Sequence, residues 1–144
     1  MAVRAPGISR AILWLLTAEL ILTGGWALVA PESFFANSPG AGHRWTAMLP
    51  PYNEHLTRDV GSLWLGLAVV TAAAALTLER RLVLVTAMAW LVHETPHLAF
   101  HLANLEGFST ADRIGQTLAL GLGLALPLTL LLLASSRTTA PPRR

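Results

Sequence analysis

The stretch AILWLLTAELILTGGWALVA, residues 11–30, carries a single charge, Glu19, among otherwise apolar or small side chains. About 20 such residues in a helix cross the hydrocarbon core of a bilayer. With Arg4 and Arg10 ahead of it and a small-residue end, the stretch imitates a secretory signal. Glu19 within it and Pro31 just beyond argue against cleavage, so it reads as the first of several membrane helices.

Three further stretches of comparable length follow, at 59–78, 82–102 and 114–134. The whole chain of 144 residues is 53% hydrophobic and 12% charged, with a mean hydropathy of +0.54. Soluble domains carry about 25% charged residues, so the composition belongs to a membrane. Too little chain remains outside the four spans for a separate soluble domain. The expected architecture is all-α: a polytopic membrane protein forming an antiparallel bundle of four transmembrane helices. One membrane domain would cover 1–144, with an external loop over 31–58 and a disordered Arg/Pro tail over 135–144.

Every one of the 10 basic residues is arginine. Arg4, Arg10, Arg80, Arg81, Arg137, Arg143 and Arg144 fall on one side of the expected topology, and Arg44, Arg58 and Arg113 on the other. The positive-inside rule then places both termini in the cytoplasm of a multi-pass protein of the cell (inner) membrane. The sequence pI is near 10.4, but the formal net charge is only +2. The arginines form no patch interleaved with aromatics, which argues against nucleic acid as a partner. With no cysteine, disulfides, thiolate ligands, iron–sulfur clusters and c-type haem attachment are excluded. A metal would need His, Asp, Glu or backbone oxygen.

The connections carry their own signals. Trp45 and Tyr52 are expected to anchor the external segment at the interface. The sequence ERR at 79–81 makes a tight turn that sets the second and third spans antiparallel. Gly107 reads as a C-cap, and STAD from Ser109 as the N-cap of the fourth span. The stretch GLGLALPL from Gly121 is rich in small residues, as helix contacts in lipid tend to be.

Against this apolar background stands HETPHLAFH, residues 93–101. With His93 at zero, His97 falls at about 40°, His101 at about 80°, Glu94 at about 100° and Asn104 at about 20° around a helix. One face therefore collects five polar groups. In the second span His55, Asp59 and Ser62 share a side at helical spacing, and antiparallel order sets them at a depth similar to that of His97 and His101. Glu19 sits near mid-membrane, one turn from Thr23, and the fourth span opens with Asp112, Arg113, Gln116 and Thr117. Charged groups at membrane depth cost a few kcal/mol each and usually face a bundle interior or mark a pathway.

Imidazoles with carboxylates suit a divalent transition metal without selecting which one; haem is a second possible ligand. The candidate ligands are His97, His101, His93, His55 and Asp59, with Asp59, Glu94 and Glu19 as candidate acids or bases. The first five letters also match the H-E-x-x-H pattern of helical zinc peptidases, in which two histidines hold zinc and the glutamate is the general base. Pro96 lies inside the match and removes the amide that would bond to Val92. That argues against a peptidase and frees the Val92 carbonyl, offering a cavity or an additional oxygen ligand at membrane depth.

The segments PESFF, PYNEHLTRDVGSLWLGLAV and PHLAFHLANLEG, spread over 31–107, together resemble a family of small four-helix integral membrane proteins of high-GC bacteria with a loosely DoxX-like layout. The resemblance implies the fold but no reaction. It carries Asn53, Glu54, His55, Arg58, Asp59, His97 and His101 as the residues of interest, with PYNEH folding over the outer mouth or capping the second span. Asn53, Glu54, Arg58 and Asn104 would orient the ligands. The leading expectation is an outward-facing His/carboxylate site for a metal, a cofactor or protons. The alternatives are acid/base chemistry on a lipid or quinone-like substrate and an accessory role in a larger membrane complex. The lipid bilayer is the expected partner, with a homo-oligomer as a further possibility.

Overall fold

The computed structural model describes residues 3–49 and 51–135. Among them are five helices: α1 (Pro6–Val29), α2 (Pro31–Asn37), α3 (Glu54–Thr77), α4 (Arg80–Ala103) and α5 (Thr110–Ser135). Between α2 and α3, a small antiparallel hairpin pairs β1 (Pro39–Gly40) with β2 (His43–Arg44). Helices α1, α3 and α5 are long and apolar enough to cross a membrane. The stretch 82–102, expected to be a fourth such span, is helical in α4 but is not among the apolar ones. The polar run 93–101 occupies the last part of it. Ser135 still belongs to α5, and the rest of the tail expected to be disordered lies outside the described residues.

Local chemistry sets the ends of these elements. Pro31 has no amide to continue α1 and serves instead as the first residue of α2. The external loop expected over 31–58 is shorter and more ordered than that. It contains α2, the hairpin and the first turn of α3, which begins at Glu54 instead of 59 because the Asn53 side chain accepts the Leu56 amide at 3.1 Å. Ala41 (φ 54°) and Gly42 (φ 85°) supply the left-handed backbone that a two-residue hairpin turn needs. At the other end of the bundle, Leu78 adopts the left-handed conformation at the C-cap of α3, and Glu79 leads directly into α4.

The long helices form two closely packed pairs, α1 with α3 and α4 with α5, and the pairs touch more sparsely through α3 with α4 and α1 with α5. The apolar core crowds toward the end carrying the Leu78 turn. It comprises Leu13, Leu16 and Leu20 of α1, Ala68, Ala74 and Ala75 of α3, Val83, Ala87 and Trp90 of α4, and Leu130 and Ala134 of α5. Trp90 is buried there, its indole donating to Thr71 Oγ1 at 3.0 Å.

Helix ends leave carbonyls without intrahelical partners, and arginines from neighbouring helices take them up. Arg10 of α1 donates to the Ala75 carbonyl near the end of α3, at 3.1 Å. Arg58 of α3, also paired with Glu54 at 2.8 Å, donates to the Leu28 carbonyl near the end of α1. Arg80 of α4 does the same for Ala134 of α5 at 2.7 Å. Three arginines expected to act as topology anchors therefore also tie antiparallel helices together.

The α1–α3 crossing is backbone on backbone. A Cβ on Gly61 would lie 2.7 Å from the Leu28 nitrogen and 2.8 Å from the Gly24 oxygen, so neither neighbour can yield cheaply. Gly61→Ala is expected to lower stability by about 1–3 kcal/mol through overpacking, read as an earlier midpoint of helix loss during denaturant titration in detergent. Gly66→Ala, on the same helix with nothing within 4 Å of its Cβ, is expected to be neutral or mildly stabilising. Equal behaviour of the two variants would refute the close crossing.

Candidate functional site

The polar face of α4 is assembled as its periodicity requires, because α4 remains helical through Pro96. The freed Val92 carbonyl expected as an oxygen ligand is not in the site. Val92 is 70% exposed, Pro96 is exposed as well, and both lie about 160° around the helix from Glu94.

Glu94 is buried, at 6% exposure. Its carboxylate is pressed against Gly123 of α5, where a Cβ would fall 2.9 Å from Oε2 and 3.1 Å from Cδ. Oε1 lies 3.7 Å from His93 Nε2, and Oε2 lies 3.9 Å from His97 Nδ1. One ligand atom from each of His93, Glu94 and His97 falls within 4.8 Å of the others. Glu94 Oε2 and His97 Nδ1 are both buried and neither has a hydrogen-bond partner.

The flanking groups fix the rings. The Trp64 indole of α3 donates to His93 Nε2 at 3.1 Å, so that nitrogen holds a lone pair and no proton. His101 Nδ1 sits 2.7 Å from Gln116 Oε1 of α5. The ring centroids of His93 and His97 are 5.4 Å apart, and those of His97 and His101 are 4.9 Å apart. Beside His93, the side chains of Val60, Leu63, Trp64 and Leu67 complete an apolar groove of about 220 Å³.

Most of the other expected site residues lie elsewhere. The anticipated opposition of His55 and Asp59 to His97 and His101 is not formed. His55 pairs with Asp59 at 3.3 Å on α3 itself, with side chains 88% and 54% exposed. The packed face of α3 is centred on Gly61, Trp64, Ala68 and Ala75, and the pair lies about 160° away from it. Asn53 caps α3, Glu54 holds Arg58, and Asn104 bonds to the Phe100 carbonyl at the end of α4. Glu19, on the flank of α1, accepts from the Thr23 hydroxyl at 3.2 Å and is close enough to Glu94 for the two carboxylates to repel each other.

Two residues of the site, Trp64 and Gly123, went unread in the sequence. Gly123 belongs to the small-residue stretch of α5, but only the opposing carboxylate gives it a purpose. A second polar constellation straps the hairpin to the start of α5. Asp112 accepts from His43 Nδ1 (2.6 Å), the Trp45 indole (2.8 Å) and the Ser109 hydroxyl (2.6 Å). Trp45, expected as an interfacial anchor, lies against Gly115, where a Cβ would be 3.1 Å from its ring.

Two imidazole nitrogens and a carboxylate are a transition-metal donor set. One ligand atom from each of the three residues lies within 4.8 Å of the others, and ligand atoms on one tetrahedral zinc stand about 3.4 Å apart, so the side chains would draw together by up to about 1.4 Å to hold one ion. Comparison of the chain with protein-family models, curated proteins and solved structures gives no match, so the reading rests on this geometry.

A buried carboxylate with an unpartnered oxygen costs stability unless something binds it. Replacement of Glu94 by methionine is expected to raise the stability of the metal-free protein by about 2 kcal/mol, measured by denaturant titration in detergent. Loss of stability instead would make Glu94 a structural group.

Proposed function

We propose that this chain is an integral membrane protein, both termini cytoplasmic, whose four long helices enclose a site for a divalent transition metal held by His93, Glu94 and His97. The observation carrying this reading is the pair of buried, unpartnered atoms, Glu94 Oε2 and His97 Nδ1, 3.9 Å apart. Native interiors rarely leave facing polar atoms unsatisfied, and a cation between the carboxylate oxygen and an unprotonated Nδ1 satisfies both. Membrane placement is supported by the three apolar helices. It is also supported by the arginine distribution, with Arg4, Arg10, Arg80 and Arg81 at one end of the bundle and Arg44, Arg58 and Arg113 at the other. The same orientation puts His97 and His101 in the outward half, with His101 nearer the outer mouth.

The chemistry open to such a site follows from its surroundings. A metal bonded to His93 Nε2 takes the lone pair that now accepts from Trp64, so binding must break that hydrogen bond and alter the indole's environment. The remaining coordination positions would be free for water or a substrate oxygen. A second reading is supported by the groove lined by Val60, Leu63, Trp64, Leu67 and His93. A lipid or quinone-like molecule entering from the bilayer would meet His93 at its polar end, with His93 as acid or base.

The protein purified in mild detergent without chelators is expected to hold about one transition-metal ion per chain by elemental mass spectrometry. His97→Ala is expected to weaken binding by about 100-fold or more. Tryptophan emission should change on loading, and Trp64→Phe should remove most of that change. A wild-type protein that neither carries nor takes up metal sinks the metal reading and leaves the site to the second one.

A further inference from the structure

Gln116 is fully buried, at 0% exposure, yet only half of its amide is used. Oε1 stands 2.7 Å from His101 Nδ1, while Nε2 has no partner in the protein. A glutamine serving only to join α4 to α5 would be expected to satisfy both ends. What the contact achieves is orientation. With Nδ1–H donated to Gln116, the imidazole keeps its Nε2 lone pair free, the arrangement seen where a second group presents a histidine to a metal.

His101 is half-buried and lies one turn beyond His97 toward the end of α4, which leads into the 104–109 connection. Its ring meets that of His97 at a centroid distance of 4.9 Å, and His97 in turn meets His93 at 5.4 Å. Three imidazoles thus descend α4 in steps of about 6 Å from its end toward the buried Glu94. A hydrated cation cannot shed its waters into an apolar interior in one step. It moves inward only if each lost water is replaced by a ligand weak enough to release it again.

We infer that Gln116 is a positioning residue that holds His101 as the transient outer ligand of a histidine ladder, down which a divalent cation passes to Glu94. The inference rests on His93, Glu94 and His97 being a cation site, and it concerns the rate of loading, not the final ligand set. His101 acts at the entrance and leaves the coordination sphere once the ion reaches the lower pair.

The test uses the full chain in detergent, stripped of metal and mixed rapidly with Co(II). Loading is followed by ligand-field absorption and tryptophan quenching, and bound cobalt is counted after dialysis. Gln116→Leu and His101→Ala are each expected to load about tenfold more slowly while holding the same final amount of cobalt. Gln116→Glu keeps an acceptor for His101 Nδ1–H and is expected to load at the wild-type rate or faster. Wild-type loading rates in Gln116→Leu and His101→Ala would overturn the inference. So would slow loading in Gln116→Glu, which would mean that the amide acts through packing alone. If His101→Ala loses bound cobalt at equilibrium, His101 is a final ligand and its transient role is wrong. If the wild-type protein binds no cobalt, the cation site itself fails, an outcome distinct from altered rates. Should Gln116→Leu lose helix content or elute as aggregate, His101→Ala alone decides the case.

Discussion

The half of the molecule that carries the imidazoles depends on how α3 is rotated, and the contact of Gly61 with Gly24 and Leu28 fixes that rotation. With no Cβ on either glycine, the backbones of α1 and α3 approach until a methyl group would lie under 3 Å from main-chain atoms. Once Gly61 faces α1, Trp64 three residues on is turned toward α4, where its indole meets His93. That hydrogen bond fixes which nitrogen of His93 is bare. The adjacent Glu94 then points at α5, into the space left by Gly123. A side chain at Gly61 would therefore disturb the imidazoles without touching them.

The two ends of the bundle divide the work. Near the Leu78 turn, packing is dominated by leucine, alanine, valine and Trp90, whose burial is worth about 25 cal/mol per Å² of apolar surface against water. In lipid the gain comes chiefly from close contact. The other half gives up apolar packing for Glu94, Gln116 and three imidazoles, and its cohesion comes from directed contacts. Phe34 of α2 sits edge-on between Trp26 of α1 and Trp64 of α3, at 5.6 and 6.0 Å. Arg58 ties α3 to the end of α1. Polar groups without full partners, Glu94 Oε2, His97 Nδ1 and Gln116 Nε2, are tolerated here because the apolar half supplies the stability.

The sequence carried the elements well and their mutual orientation poorly. Four long helices and the shared face of His93, Glu94, His97 and His101 follow from length, hydropathy and the period of a helix, all properties of one segment at a time. The placement of His55 and Asp59 depended on the rotation of α3 against its neighbours. Gly61, Trp64 and Ala68 determine that rotation, and none of them looks unusual in isolation. The same limit hid Gly123, whose role exists only opposite Glu94. The polar run also kept α4 from meeting the apolarity of the other spans, so the feature that marks the site weakens the signal for the helix bearing it. The hairpin and α2 were missed because an external segment with Pro31, Pro39, Gly40 and Gly42 reads as irregular. It is ordered instead by a distant carboxylate, Asp112.

The H-E-x-x-H spacing shows why a motif needs its surroundings. In a zinc peptidase the two histidines bind metal on one side, while the glutamate stays free to take a proton from a metal-bound water. Here Glu94 is enclosed against Gly123, with its two oxygens facing His93 and His97 separately. A carboxylate in that position has no open side from which to approach a peptide. Pro96, which first argued against a regular zinc-binding turn, lies on the opposite face and leaves the helix intact. The peptidase reading is therefore weakened less by the proline than by the enclosure of the glutamate.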